Sequence, residues 1–145
     1  MRSVRSIATL AALAALFSVS VALAAGLSKA QYTGTTSDNT AVRLRLSSDG
    51  KRVAKLRIFY SVNCDNGQAH KTFTDIFNLA IGKRNAFAGS GTYQGQQDGS
   101  SNDFKISGKV GTSRARGRFS LKATDAAKTV HCNTGTVSWT ANRVH

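Results

Sequence analysis

The chain contains no proline, no glutamate, a single tryptophan and only two cysteines in 145 residues. Each scarcity removes a class of explanation. Without glutamate the acidic side chains are seven aspartates, Asp38, Asp49, Asp65, Asp75, Asp98, Asp103 and Asp125. Nearly all fall in Gly-, Ser- and Asn-rich segments that read as turns, where Asp serves local backbone hydrogen bonds. Only Asp75 sits within a strand-like stretch, so no carboxylate pair is set up for acid–base work. His70, Asp75 and His131 are the one set that could converge beside a Ser or Thr, but no G-x-S-x-G elbow accompanies them. The expectation is a protein that is not an enzyme. Neither cysteine belongs to a C-x-x-C pair, and His131 adjoins Cys132, which puts the two on opposite faces of a strand. A metal site from Cys64, His70, His131 and Cys132 is therefore not expected, and no cofactor is indicated. β proteins often guard sheet edges with proline, and its absence here fits a closed sheet with few edges.

Long apolar runs are also lacking, with one exception. Arg2 and Arg5 precede an uncharged run from Ile7 to Leu23, followed by Ala22-Leu23-Ala24 and Ala25, the three-part layout of a secretory signal peptide. It is short and rich in Ala and Ser for a membrane span. No cysteine follows it, which argues against a lipid anchor. The expectation is a signal peptide at residues 1–24 and one secreted domain at 25–145, with no membrane span once the signal is removed. About 120 residues suffice for one hydrophobic core. Two cysteines in an exported chain are read as a disulfide, Cys64–Cys132. The loop of about 70 residues that it closes contributes roughly 4 kcal/mol through chain entropy.

What the chain has in excess is positive charge. Apart from Arg2 and Arg5 there are 18 Lys and Arg against seven Asp, a formal charge of +11. These cations fall on strands. From Arg52 to Cys64 the side chains alternate, with Ala54, Leu56, Ile58, Tyr60 and Val62 on one parity and Lys55, Arg57, Phe59 and Ser61 on the other, the period of a half-buried strand. Cys64 continues the apolar parity. Thr40 to Leu46 alternates likewise, and Asp49-Gly50 between the two runs predicts a hairpin. Arg43, Arg45, Lys55 and Arg57 then share one face. A second hairpin, Asp103–Val110 with Arg114–Ala123, repeats the scheme with Lys105, Lys109, Arg116, Arg118 and Lys122 outward.

Other strands are read at Gln31–Thr36, across Ala69–Ile81 as two short strands or one with a bulge, at Ala86–Gly95, at Thr129–Asn133 and at Thr136–Asn142. Gly26–Ala30 reads as a frayed lead-in and Gln96–Asn102 as a polar loop. Turn signals recur roughly every 8–12 residues and no helix is evident, so the fold class is all-β, an antiparallel meander of about eight to ten short strands. A closed barrel is favoured over a two-sheet sandwich. Gly89, Gly91, Gly108 and Gly117 interleave on inward positions with Phe87, Tyr93, Phe104 and Phe119, small beside large where a sheet must bend and close.

The residues Tyr32-Thr33-Gly34-Thr35-Thr36, Val42-Arg43-Leu44-Arg45, Cys64 with Gly67, Gly91-Thr92-Tyr93-Gln94-Gly95, and Cys132-Asn133-Thr134-Gly135 with Val137-Ser138-Trp139-Thr140-Ala141 resemble a group of small secreted actinobacterial proteins. These are β-rich and carry two cysteines. The resemblance spans essentially the whole mature chain and implies export and fold, with no activity to carry over.

The basic face therefore carries the functional expectation. Arg43, Arg45, Lys55 and Arg57 with Phe59, and Lys105, Lys109, Arg116, Arg118 and Lys122, form stripes suited to an anionic polymer or cell surface, through ionic contacts and ring stacking. The competing reading is a charged coat that keeps an exported barrel soluble. No motif points to sequence-specific nucleic-acid recognition. Two other readings stay open. One is a small-ligand barrel lined by Tyr60, Phe87, Tyr93, Phe104, Phe119 and Trp139. The other is a protein-binding or inhibitory domain acting through Gln96–Asn102.

Overall fold

The computed structural model describes residues 26–145; the signal segment read at residues 1–24, and Ala25, lie outside the described residues. Nine strands follow in order: β1 Gln31–Thr36, β2 Ala41–Leu46, β3 Arg52–Cys64, β4 Ala69–Ala80, β5 Ala86–Gln94, β6 Ser101–Val110, β7 Arg114–Thr124, β8 His131–Asn133 and β9 Val137–Val144. A 3-10 turn at Lys83–Asn85 joins β4 to β5. Every strand pairing is antiparallel. From β3 the hydrogen bonds run through β2, β1, β9, β7 and β8 and return to β3, closing a six-strand barrel. β4 is added to β3, and β6 and then β5 to β7, so β4 and β5 carry the sheet's two free edges.

Strand β3 is shared by both parts. Its inward residues Val53, Leu56, Ile58, Tyr60 and Val62 are all buried, each stabilising the fold by about 1.5–3 kcal/mol relative to exposure. The simple alternation fails at one place. Arg45 pairs with Lys55 but Leu46 with Val53, leaving Ala54 as an extra residue in a β-bulge. One inserted residue exchanges the two faces, so Val53, not Ala54, enters the core. The exchange buries the larger side chain.

β4 is one continuous strand, bent at Asn78, whose φ is 58°. Thr74 and Ile76 point in, while Phe73 and Phe77 face out and are 46% and 55% exposed. The lead-in is also not frayed. Leu27 and Ala30 are buried, the Lys29 N–H donates to the Ser47 carbonyl at 3.0 Å, and Arg143 Nη1 donates to the Gly26 carbonyl at 2.8 Å. One apolar residue, Leu27, suffices to dock the segment.

Of the glycines expected inward, Gly108 and Gly117 do the packing work, whereas Gly91 is exposed beside the exposed Tyr93, on the open side where the sheet does not close. Phe87, Gly108, Gly117 and Trp139 stand in register on β5, β6, β7 and β9, forming a row in which two aromatic rings meet over a glycine floor. The Phe87 and Trp139 centroids are 6.1 Å apart and the rings are nearly parallel, at 28°. A Cβ on Gly117 would lie 2.6 Å from Trp139 Cζ2 and 2.0 Å from the Ser107 carbonyl oxygen. Only hydrogen fits there. The Trp139 indole N–H is buried without an acceptor, a desolvation cost borne by the packing around it.

Cys64 and Cys132 are direct cross-strand partners on β3 and β8, and they form the expected disulfide. β8 has three residues, paired to β3 on one side and β7 on the other. Asp65 supports it further: the His131 N–H donates to Asp65 Oδ1 at 3.2 Å and the Asp65 N–H to the His131 carbonyl at 2.9 Å.

Candidate functional site

The first basic stripe forms as its hairpin requires. Arg43 lies opposite Arg57 and Arg45 opposite Lys55, all with outward side chains. Like charges facing each other across a strand pair are unfavourable, and β4 supplies the compensation. Its register sets Asp75 beside Arg57, Phe77 beside Lys55 and Phe73 beside Phe59. Arg57 Nε donates to Asp75 Oδ1 and Arg57 Nη2 to Asp75 Oδ2, both at 2.6 Å, the planar fork that a guanidinium presents to a carboxylate. Lys55 Nζ lies 3.0 Å from Asp75 Oδ2. These hydrogen bonds from Arg57, and secondarily those from Lys55, hold the Asp75 carboxyl below the ordinary carboxylate range against a smaller opposing effect of burial. The Arg57 guanidinium is correspondingly pushed up by its bond to Asp75.

Two cations also cover rings. The Arg57 guanidinium carbon is 4.5 Å from the Phe73 centroid and Lys55 Nζ is 5.4 Å from that of Phe77, both within cation–π range. Phe59 packs against Phe73 with centroids 5.4 Å apart. The outer face of β2, β3 and β4 thus carries three phenylalanine rings edged by Arg43, Arg45, Lys55, Arg57 and, further along β4, Lys71, with the Asp75 carboxylate among them.

Sequence reasoning found the four cations and Phe59 but missed Phe73, Phe77 and the role of Asp75. Their signal was present. Phe73, Asp75 and Phe77 share a parity opposite to Thr74 and Ile76, but two exposed phenylalanines read more naturally as core. The acid interleaved with these cations is Asp75, which the neighbouring strand β4 supplies.

The second stripe forms on β6 and β7. Lys109 lies opposite Arg116, Ser107 opposite Arg118, Lys105 opposite Ser120 and Lys122 opposite Asp103, and all five cations are exposed. The two stripes do not merge. Between β2 and β7 stand β1 and β9, whose outward Thr33, Thr35, Thr140 and Asn142 are uncharged.

His70 and Asp75 occupy opposite parities of β4, and Asp75 is engaged by Arg57, so the set His70, Asp75 and His131 is not brought together. His131 Nδ1 instead meets Thr124 Oγ1 at 3.4 Å. Of the six aromatics considered for an interior cavity, Tyr60 packs on Phe119 and Phe87 on Trp139 within the core. Tyr93 and Phe104 pair at 6.3 Å towards the open side of the sheet, where Tyr93 is 37% exposed. No protein-family model, curated protein or solved structure matches the chain.

Proposed function

We propose that this protein is an exported, noncatalytic β domain that binds anionic polymers or anionic surfaces through its basic outer faces. The observation that carries the reading is the outer face of β2–β4, where exposed Phe77 lies in register with Lys55 and Arg45, and exposed Phe73 lies in register with Phe59, next along the face from Arg57 and Arg43. A coat serving solubility alone has no use for two half-exposed rings, which cost free energy in water. A polymer bearing phosphates and flat or apolar units uses both groups, the cations releasing counterions and the rings stacking. Asp75 engages Arg57 and Lys55 beside the rings, while exposed Arg43, Arg45 and Lys71 make no ion pair with it and can meet a ligand. The stripe of Lys105, Lys109, Arg116, Arg118 and Lys122 adds long-range attraction. The disulfide supports an extracytoplasmic location, where such a bond persists.

The test is retention of Arg43→Gln/Arg45→Gln on single-stranded DNA and on a phosphate-bearing cell-wall polymer across a salt series. Removing two contacts is expected to reduce the slope of log affinity against log salt by about 1.4 on the single strand. The melting temperature should stay where it was, because neither arginine is buried. Unchanged retention in the folded variant would remove this face from the function.

A further inference from the structure

Consecutive strands β4 and β5 do not pair. Near their connecting turn they touch, since a Cβ on Gly89 would fall 2.5 Å from Leu79 Cδ2. Farther out they diverge, and the gap is spanned by side chains: the Tyr93 hydroxyl meets Thr74 Oγ1 at 3.0 Å, which meets the Tyr60 hydroxyl at 2.7 Å. Beyond this bridge lies an open cleft of about 940 Å³, within the range of small-molecule sites. Val62, Leu121, Ala123 and the Cys64–Cys132 disulfide are among its apolar walls.

The composition of the cleft departs from that of the chain. About one residue in seven is Lys or Arg, yet none lines it. Its two aspartates are committed to their own turns. Asp98 Oδ1 accepts from the Ser100 N–H at 2.9 Å, and Asp125 accepts from the Thr129 and Val130 N–H groups at 2.6 and 2.9 Å. The cleft therefore disfavours an anion, having two carboxylates, no Lys or Arg and His70 as its one basic side chain, and it offers a cation only carboxylate oxygens already engaged in turns. What it offers is the amides of Gln94, Gln96 and Gln97, with the side-chain oxygen of Asn102, whose amide nitrogen already donates to Ser100, around the half-exposed ring of Tyr93. Amides donate and accept at once, matching hydroxyl groups, and an aromatic face matches the C–H face of a sugar ring. An extended peptide would add itself to a free strand edge, but the Tyr93–Thr74 bridge crosses the gap where such a strand would lie.

We infer that this cleft is a binding site for an uncharged saccharide, seated on Tyr93 and held by the surrounding amides, adjoining the basic face at Phe73 but containing none of its cations. The experiment is amide-resolved NMR titration of the folded protein with neutral oligosaccharides of glucose, N-acetylglucosamine and mannose, to millimolar concentration and at high salt, where polyanion contacts are screened. Saturable shifts confined to the segments that line the cleft, residues 60–73, 93–102 and 121–132, are expected with at least one of them. Tyr93→Ala should weaken that binding roughly tenfold, the loss of one ring contact. Tyr93→Phe, which keeps the ring and loses only the bridge, should retain most of it. Arg43→Gln/Arg45→Gln should leave it unchanged, so failure here is separable from failure of the basic face. No saturable shift with any sugar, shifts confined to the outer face, or full affinity in a Tyr93→Ala variant with native spectra would each overturn the inference. A preference of the cleft for peptides over every sugar would do the same.

Discussion

Asp75 allows a prediction whose sign runs against the usual effect of deleting an ion pair. In Asp75→Asn the shape of the side chain is kept and one negative charge is lost from the centre of the β2–β4 face. The cations around it, Arg43, Arg45, Lys55, Arg57 and Lys71, then lose the carboxylate that stands among them. The stability cost is small. The side chains of Asp75, Arg57 and Lys55 are 20%, 33% and 35% exposed, and pairs this solvated contribute no more than about 1 kcal/mol. Binding should instead tighten. With one more cation available to a polyanion, the slope of log affinity against log salt steepens by about 0.9 on duplex DNA, which near 0.1 M salt is roughly an eightfold gain.

Acidification gives an internal control. The Asp75 carboxyl is held below its ordinary value of 3.8 by Arg57, so its contribution to stability is complete above that value and is lost as pH falls through the lower folded value. Wild type and Asp75→Asn should therefore differ in affinity at neutral pH and converge only below pH 3.8. Salt-dependent binding measured by fluorescence anisotropy, with circular dichroism to confirm folding at each pH, checks this. Equal or weaker binding by a folded Asp75→Asn at neutral pH would refute the idea that Asp75 restrains these cations from a ligand.

Two further outcomes concern the fold. Gly117→Ala places a methyl group 2.0 Å from a backbone oxygen and against the Trp139 ring; overpacking of this kind costs about 1–3 kcal/mol, and thermal melting should show a fall of roughly 4–12 °C, whereas an unchanged melting point would mean the row of rings and glycines is loosely packed. Cys64→Ser/Cys132→Ser should lower the unfolding free energy by roughly 4 kcal/mol in chemical denaturation, and the wild-type protein should expose no thiol to labelling before reduction; two reactive thiols in the native protein would contradict the bond.

Much of this architecture was legible because its strands are two-faced. From Lys55 to Cys64 the alternation matches the strand, and the Asp49-Gly50 turn set β2 and β3 as hairpin partners. Inward Gly108 and Gly117 announced close packing, although only the register revealed Trp139 as the ring that fills the space. What stayed hidden depended on residues far apart in the chain or on single insertions. The bulge at Ala54 exchanges two faces through one residue, and nothing in the sequence there departs from a regular strand. β4 was hard to read because Phe73 and Phe77 face outward, contrary to the ordinary preference of phenylalanine, and their partners are cations on other strands. The cleft is made by the divergence of β4 and β5, which the strong turn between them would lead one to pair. Its amides come from a polar segment with no period at all.

The pairing of β1 with β9 has a temporal consequence. Gln31 lies opposite Val144, so the barrel is sealed by a contact between the two extremes of the described chain. While the polypeptide emerges from a ribosome or a translocation channel, β1 to β4 can form hairpins, but β1 keeps an open edge until the final strand arrives. Closing so long a loop is entropically slow and gives a fold of high contact order. Closure of the barrel therefore waits for β9, and in the interval the exposed edge of β1 is the place where a holding chaperone would gain most by binding.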